Sequence, residues 1–212
     1  MCKNWPDFPI GVTGATGGVI GKTVVICGGH KADWSVSDEC YSLTFNKRTF
    51  VTNMSVRRRY AASIVLNDNT LWVTGGSTGG STGGPLSVGY LASTEKVRLE
   101  GTVPGPDLPM AIYLHTIVAI NSTVSMLIGG YDGSNSILST FYHNHVEGEW
   151  INGPDLMQIR SEHAAGIVTD EMTEENFVAL TGGSHGSGYS NSTEILQDGT
   201  WVQGKISDST IY

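Results

Sequence analysis

The stretch Val24-Val25-Ile26-Cys27-Gly28-Gly29 decides the fold, because a short apolar run ending in two glycines recurs three more times. The other copies, aligned without gaps, are residues 71–76 (LWVTGG), 125–130 (SMLIGG) and 178–183 (VALTGG). Their second glycines lie 47, 54 and 53 residues apart along the chain. Each run is too short for a helix and is bounded by glycines, which predicts a buried strand.

Other features recur around each Gly-Gly strand. A preceding apolar run occupies residues 60–65, 115–120 and 163–168, with a glycine-rich counterpart around 15–20, and short polar turns predict hairpins. A third strand follows a polar pair: Ser37-Asp38, Ser93-Thr94, Ser139-Thr140 or Ser192-Thr193, with Glu39, Glu95 and Glu194 after three of them. A fourth strand carries Phe50, Trp150 or Trp201, while Thr102 is nearest in register in the second repeat. Each unit is therefore predicted to contain four antiparallel strands.

The Gly-Gly strand, the later aromatic residue and the connection containing Pro and Arg resemble the kelch repeat. This resemblance covers nearly the whole chain and implies an all-β β-propeller of four-stranded antiparallel blades around a central channel. We expect four kelch blades in one domain, residues 1–212. Their approximate ranges are 14–52, 60–104, 114–153 and 163–204.

The amino-terminal segment adds one further element. Trp5 and the following Pro6-Asp7-Phe8-Pro9 match the fourth-strand aromatic and proline turn of a blade. The last repeat already has its own Trp201, so residues 1–9 are predicted to be the last strand of another blade. We therefore expect part of a larger ring, whose open faces would expose apolar surface and favour self-association.

Composition limits the function classes. The net charge of −8 argues against nucleic-acid binding, and no apolar run is long enough for a membrane span. Cys27 is expected to act as a small buried hydrophobe, which favours a reducing, cytoplasmic compartment, although one disulfide among the three cysteines stays open. Sequons at Asn53, Asn121 and Asn191 keep an extracellular location as the alternative.

Propellers bind through loops at one mouth of the channel, because loops carry function on a rigid scaffold. Binding hot spots favour aromatic residues and arginine. The candidate residues in the loops and inter-blade connections are His30, Trp34, Arg57, Arg58, Arg59, Tyr131, Asn135, Arg160, His185 and Tyr189.

We predict a non-enzymatic protein-interaction module without cofactor or metal, similar to kelch-domain adaptor or scaffold proteins, with an unidentified protein partner. An extracellular kelch ectodomain is the alternative. A third possibility is a kelch-type sugar or copper enzyme, but Cys40 and Tyr41 are neighbours that would face opposite sides of a strand. His143 and His145 share a strand face and could chelate a metal weakly, but no carboxylate or cysteine lies at a diagnostic spacing.

Overall fold

The computed structural model describes residues 6–79 and 89–204. Within these ranges the regular structure consists of β-strands, and no helix there could cross a membrane. The strands form four antiparallel sheets of four strands each, plus one two-stranded pair. The prediction of an all-β chain built from four-stranded antiparallel units is confirmed.

Each sheet follows chain order from its inner to its outer strand. The first contains β2 (Thr16–Ile20), β3 (Thr23–Cys27), β5 (Glu39–Thr44) and β6 (Lys47–Asn53). The second contains β7 (Ala62–Val65), β8 (Leu71–Thr74), β9 (Thr94–Arg98) and β10 (Gly101–Pro104). The third contains β11 (Thr116–Ala119), β12 (Val124–Ile128), β13 (Thr140–Asn144) and β14 (Glu149–Asn152). The fourth contains β15 (Ala164–Thr169), β16 (Asn176–Thr181), β17 (Thr193–Gln197) and β18 (Thr200–Gln203). The separate pair is β1 (Val12–Thr13) with β4 (His30–Lys31).

The sheets are arranged in sequence around a common centre. The innermost strands β2, β7, β11 and β15 contact one another in that order, as in a β-propeller. Among the described residues, no comparable packing joins β15 back to β2, so the four sheets form an arc and not a closed ring. Val19 and Val168, on the innermost strands of the first and fourth sheets, are about half exposed. Self-association through these faces stays a prediction.

The paired glycines allow neighbouring sheets to approach each other closely at this point. The first glycine of each pair has a positive φ, and in the first three sheets it faces the backbone of the next connection. A Cβ on Gly129, for example, would lie 2.7 Å from the carbonyl oxygen of Arg160. The second glycine donates its N–H to that same carbonyl: Gly29 to Arg58, Gly76 to Ile112 and Gly130 to Arg160, at 2.8–2.9 Å. The repeat signature is therefore an inter-sheet contact.

A second backbone pattern surrounds the centre, just before each innermost strand. Gly14, Tyr60, Leu114 and Glu162 occupy equivalent positions, and all have φ between 54° and 67°. Tyr60 donates its N–H to the carbonyl of Gly14 at 2.7 Å, Leu114 to that of Tyr60 at 3.0 Å, and Glu162 to that of Leu114 at 2.9 Å. This chain of hydrogen bonds fixes the inner ends of the four sheets relative to one another.

Cys27 and Cys40 form a disulfide between adjacent strands β3 and β5, and both are buried. The expectation of a free thiol at Cys27 is therefore wrong. The corresponding cross-strand pair is Thr74–Thr94 in the second sheet and Thr181–Thr193 in the fourth. The sequence did not show this pairing, because alignment on Ser37-Asp38 places Cys40 level with Lys96, whereas the β3–β5 pairing makes Cys40 equivalent to Thr94.

The β3–β5 pairing also corrects the alignment of the first repeat. Gly28 donates its N–H to the carbonyl of Glu39, while Gly75 donates to that of Ser93. Glu39 is thus equivalent to Ser93 and not to Glu95. Phe50 pairs with Tyr41 and lies outside the register position of Trp150 and Trp201, which Thr102 does occupy in the second sheet.

Replacing both cysteines with threonine (Cys27→Thr with Cys40→Thr) is expected to lower the free energy of unfolding by ~3 kcal/mol. The cross-link closes a loop over a sequence separation of 13 residues, and its loss enlarges the unfolded ensemble. Threonine is the matched replacement, because Thr193 donates a hydrogen bond to Thr181 at the equivalent site. Urea denaturation measures the difference, and a loss below about 1 kcal/mol would contradict the stabilising role.

Trp5 lies outside the described residues, but part of the segment that follows it is described. The Phe8 ring packs edge-on against Tyr41, with centroids 5.4 Å apart, and the Asp7 carbonyl accepts a hydrogen bond from Arg48. Both partners belong to the first sheet, whereas Trp201 belongs to the outer strand of the fourth. The described part of this segment thus lies on the first sheet.

Candidate functional site on the loop face

The connections at the Gly-Gly ends of the sheets form a layer that we call the loop face. Each sheet contributes a connection that precedes its inner strand, a residue after its Gly-Gly pair, and a residue further along the same loop. These sets are Thr13, His30 and Val36; Arg59, Ser77 and Tyr90; Tyr113, Tyr131 and Ser136; and Ser161, Ser184 and Tyr189. Short antiparallel bridges join the members of each set, so backbone pairing fixes the positions of their side chains.

Six aromatic side chains of the first three sheets form a continuous group on this face, which we call the aromatic cluster: Trp34, His30, Tyr60, Tyr113, Tyr90 and Tyr131. The His30 ring stacks on Trp34 and meets the edge of Tyr60, with centroids 5.3 and 5.8 Å apart. Tyr60 lies 6.4 Å from Tyr113, which stacks on Tyr90 at 5.0 Å. Trp34 is about half exposed, so the cluster reaches solvent.

Arg59 lies within this cluster. Its guanidinium carbon is 5.2 Å from the centroid of the Tyr60 ring, which is a cation–π distance. Burial and the Arg59 charge lower the pKa of His30. Burial raises the pKa of Tyr113 to about 12, with Tyr90 and Tyr131 adding to this shift. His30 and Tyr113 are therefore uncharged near neutral pH, and Arg59 supplies the positive charge among these three groups.

Arg58 and Arg160 are not available for binding, and their selection as loop candidates is wrong. Both side chains are fully buried in equivalent ion pairs, Arg58 with Glu95 at 2.7 Å and Arg160 with Glu194 at 2.6 Å. Each guanidinium also donates to the carbonyl of the first glycine of its sheet, Gly75 or Gly182. The two arginines attach each connection to the sheet that follows it.

The structure brings only some of the other predicted residues together. His30, Trp34, Arg59 and Tyr131 lie in or against the aromatic cluster. Arg57 is exposed in the connection that precedes the second sheet, and Asn135 is exposed in the turn that Asp132 caps by accepting its N–H. His185 and Tyr189 lie in the loop of the fourth sheet, and no ring contact joins them to the cluster among the described residues.

Three residues of the aromatic cluster, Tyr60, Tyr90 and Tyr113, were not among the predicted binding residues. Tyr60 and Tyr113 lie in the connections that precede inner strands, and Tyr60 was predicted to begin a strand. A signal was present, because Tyr113 is the counterpart of Arg59 three residues before an inner strand. Tyr90 follows a long glycine-rich insertion, which hides its repeat position from a gap-free alignment.

A cavity of about 340 Å³ lies at the inner ends of the four sheets. Its lining comprises Gly14, Ala15, Tyr60, Ala61, Leu114, His115, Glu162 and His163. His115 and His163 are buried and lie between successive sheets: Nε2 of His115 is 2.9 Å from the hydroxyl of Thr74, and Nε2 of His163 is 2.9 Å from that of Thr116. Their shared role is structural, as the repeat position indicates.

Acidification is expected to destabilise the protein through these two histidines. Burial lowers the pKa of His115 to about 3 and that of His163 to about 4, from an ordinary 6.5. The unfolded chain therefore binds more protons than the folded one below pH 6.5. The stability that the two neutral histidines contribute is fully present above that pH, and it is lost progressively as the pH falls toward 3–4.

Urea denaturation between about pH 7 and about pH 4 tests this expectation. The double variant His115→Gln with His163→Gln keeps a hydrogen-bonding side chain but does not titrate, and should show a flatter profile. His185→Gln, at a half-exposed loop position, is the matched control and should follow the unmodified protein. Equal slopes for all three proteins would contradict the assignment.

His143 and His145 do lie together, but inside a packed contact between the second and third sheets. Their Nδ1 atoms are 3.1 Å apart, and both rings contact Trp72. Burial lowers the pKa of His143 to about 4, with His145 and Lys96 adding to the shift. No group of three or more potential metal ligands occurs within residues 6–79 and 89–204.

Comparison with known proteins shows the fold and leaves the activity open. No protein-family model matches the chain, and no curated protein matches it. Among solved structures, the chain is similar to YjhT, with a TM-score of 0.78 and 13% sequence identity over 96% of this chain and 74% of that chain. A likeness at this identity shows a common fold alone.

Proposed function

We propose that this chain is a non-enzymatic protein-interaction module of the kelch type, whose loop face binds a polypeptide partner. One observation carries the proposal: the aromatic cluster with Arg59 on a face whose backbone is fixed by strand pairing. Tyrosine, tryptophan and arginine dominate the energetics of protein interfaces, and rigid aromatic side chains lose little conformational entropy on binding.

The extent of the cluster favours an extended ligand. Its rings contact one another at centroid distances of 5.0–6.4 Å and belong to the loops of three sheets. A small molecule would contact only part of the cluster, whereas a peptide segment can cross from one loop to the next. The cavity at the inner ends of the sheets, which shares Tyr60 with the cluster, is lined mainly by small residues and by histidines engaged in hydrogen bonds.

Selection from a random peptide display library, with the folded protein as bait, tests this function. Selected peptides are expected to lose at least about tenfold in affinity on Trp34→Ala and Tyr131→Ala, as hot-spot residues do. The matched control is Phe45→Ala with Val146→Ala, because these exposed apolar residues lie in hairpin turns at the opposite ends of the sheets. Binding that depends on Phe45 and Val146, or selection of no peptide, would overturn the proposal.

A second candidate, an extracellular ectodomain with the same binding face, is favoured by the buried Cys27–Cys40 disulfide. Structural disulfides form and persist mainly in oxidising compartments. Asn53, Asn121 and Asn191 are all exposed, so each could carry a glycan without disturbing the fold. The prediction of a reducing compartment rested on a free thiol at Cys27, and the disulfide removes that argument.

Expression in a secretory eukaryotic host distinguishes the two locations. An extracellular protein should be secreted into the medium carrying N-glycans, so treatment with an amidase specific for N-glycans should lower its mass. The variant Asn121→Gln should lack part of this glycan mass. Retention in the cell without a glycan would reject the second candidate and leave the binding function of the loop face untouched.

A further inference from the structure

We propose that Arg59 is the anchor for a carboxylate group, supplied by an acidic side chain of the polypeptide that the loop face binds. The inference deepens the proposed function and rests on it. It names the chemistry of the partner at one position: an aspartate or glutamate seated against the guanidinium, with the flanking residues lying along the aromatic cluster.

Arg59 lacks the carboxylate partner that three other arginines of this fold have. Arg58, Arg98 and Arg160 each pair with a carboxylate at 2.6–2.8 Å. Within residues 6–79 and 89–204, no carboxylate oxygen lies within 4.0 Å of a nitrogen of Arg59. By sequence, residues 1–5 and 80–88 contain no aspartate or glutamate either.

The environment of Arg59 favours a bound anion. The side chain is partly buried, so its attraction to a carboxylate is screened less by salt and water than that of a fully exposed arginine. Its Nε atom has no hydrogen-bond partner, but the same holds for Nε of the ion-paired Arg58 and Arg160, so this atom does not distinguish Arg59. A ligand that pairs with the terminal N–H groups of Arg59 therefore gains free energy that a fully hydrated arginine could not supply.

The groups around Arg59 do not neutralise it. Tyr60 presents its ring to the guanidinium at 5.2 Å and leaves the in-plane N–H groups of Arg59 to another partner. His30 has a lowered pKa through burial and the Arg59 charge, and Tyr113 has a raised one through burial and its tyrosine neighbours. Both rings are thus neutral near pH 7, and the positive charge of Arg59 is retained.

The geometry of a guanidinium selects the ligand. Its planar, paired N–H groups match the two oxygens of a carboxylate, which gives a bidentate contact. A phosphate carries nearly two charges and is bound better by several cations than by one. Lys31, in the loop of the first sheet, is not a free second cation, because it already pairs with Glu39 at 3.5 Å. A single arginine beside aromatic rings therefore fits one acidic side chain with apolar or aromatic neighbours.

The test uses the full chain and peptides from a random display library, selected in parallel on the unmodified protein, Arg59→Met and Arg57→Met. Methionine preserves length and apolar surface without charge. Arg57 is the matched control, because it is the exposed neighbour in the same connection. Thermal unfolding confirms that each variant is folded before selection.

Peptides selected on the unmodified protein and on Arg57→Met should share an Asp or Glu at one fixed position, and those selected on Arg59→Met should not. For a synthetic peptide from the first set, changing that residue to Gln or Asn should weaken binding about 10-fold or more, and the same change should have little effect with Arg59→Met. Selection of peptides that bind the aromatic cluster without an acidic residue would overturn the inference and leave the proposed function standing. Selection of no peptides would overturn both, and enrichment of phosphorylated over acidic synthetic peptides would overturn the carboxylate assignment.

Discussion

Replacing Arg160 with methionine is expected to lower the free energy of unfolding by ~3–5 kcal/mol, because it leaves Glu194 as a buried charge without its partner. The Arg160–Glu194 pair is fully buried, with a nitrogen–oxygen distance of 2.6 Å. Arg160 also donates to the carbonyl of Gly182 and to the hydroxyl of Ser192, so its loss leaves further acceptors unpaired. Urea denaturation at neutral pH measures the effect.

The third sheet provides a matched control for this prediction. There Ile112 and Phe141 occupy the positions of Arg160 and Glu194, and Phe141 packs against Ile112. The double variant Arg160→Ile with Glu194→Phe should therefore recover most of the stability that Arg160→Met loses, because a well-packed apolar pair can replace a buried ion pair. If the double variant is less stable than the single one, the ion pair has a role that the apolar pair cannot serve.

The second large effect is expected for Gly129→Ala, which should cost ~3 kcal/mol or more. Gly129 has a φ of 52°, and a Cβ there would lie 2.7 Å from the carbonyl oxygen of Arg160 and 3.0 Å from the ring of His163. Both neighbours are held between the third and fourth sheets, so the substitution must separate the sheets or distort the strand end.

Gly148→Ala isolates the conformational part of this cost. Gly148 also has a positive φ, 76°, but nothing lies within 4 Å of a Cβ at this hairpin turn. Its substitution should cost only ~1–2 kcal/mol, the usual penalty for a left-handed alanine. Equal losses for the two variants, measured by thermal and urea unfolding, would show that the Gly-Gly pair does not serve inter-sheet contact.

The repeated units could be predicted from sequence because their signals are local. An apolar run ending in Gly-Gly, a polar turn and a later aromatic residue each report on one strand, and together they predicted four-stranded antiparallel sheets. The register of the first sheet could not be predicted. Its third strand is offset from the gap-free alignment, which makes Cys40 equivalent to Thr94 and places it opposite Cys27 in the disulfide.

The site was harder to predict, because accessibility depends on contacts between sheets. Three consecutive arginines have the same side chain but different environments. Arg57 is exposed, Arg58 is buried against Glu95, and Arg59 packs on Tyr60. Only the pairing of each connection with the loop that follows distinguishes them. Tyr113 enters the cluster for the same reason, because it bridges to Tyr131 and stacks on Tyr90.

Amide hydrogen exchange with and without a selected peptide tests whether the protein binds through the loop face. The bound peptide should slow exchange in residues 30–36, 59–61, 89–91, 112–114 and 130–136, which carry the aromatic cluster and Arg59. The hairpin turns at 44–47 and 145–149, at the opposite ends of the sheets, should exchange at unchanged rates. Protection confined to those turns, or to the exposed innermost strands β2 and β15, would contradict binding through the loop face.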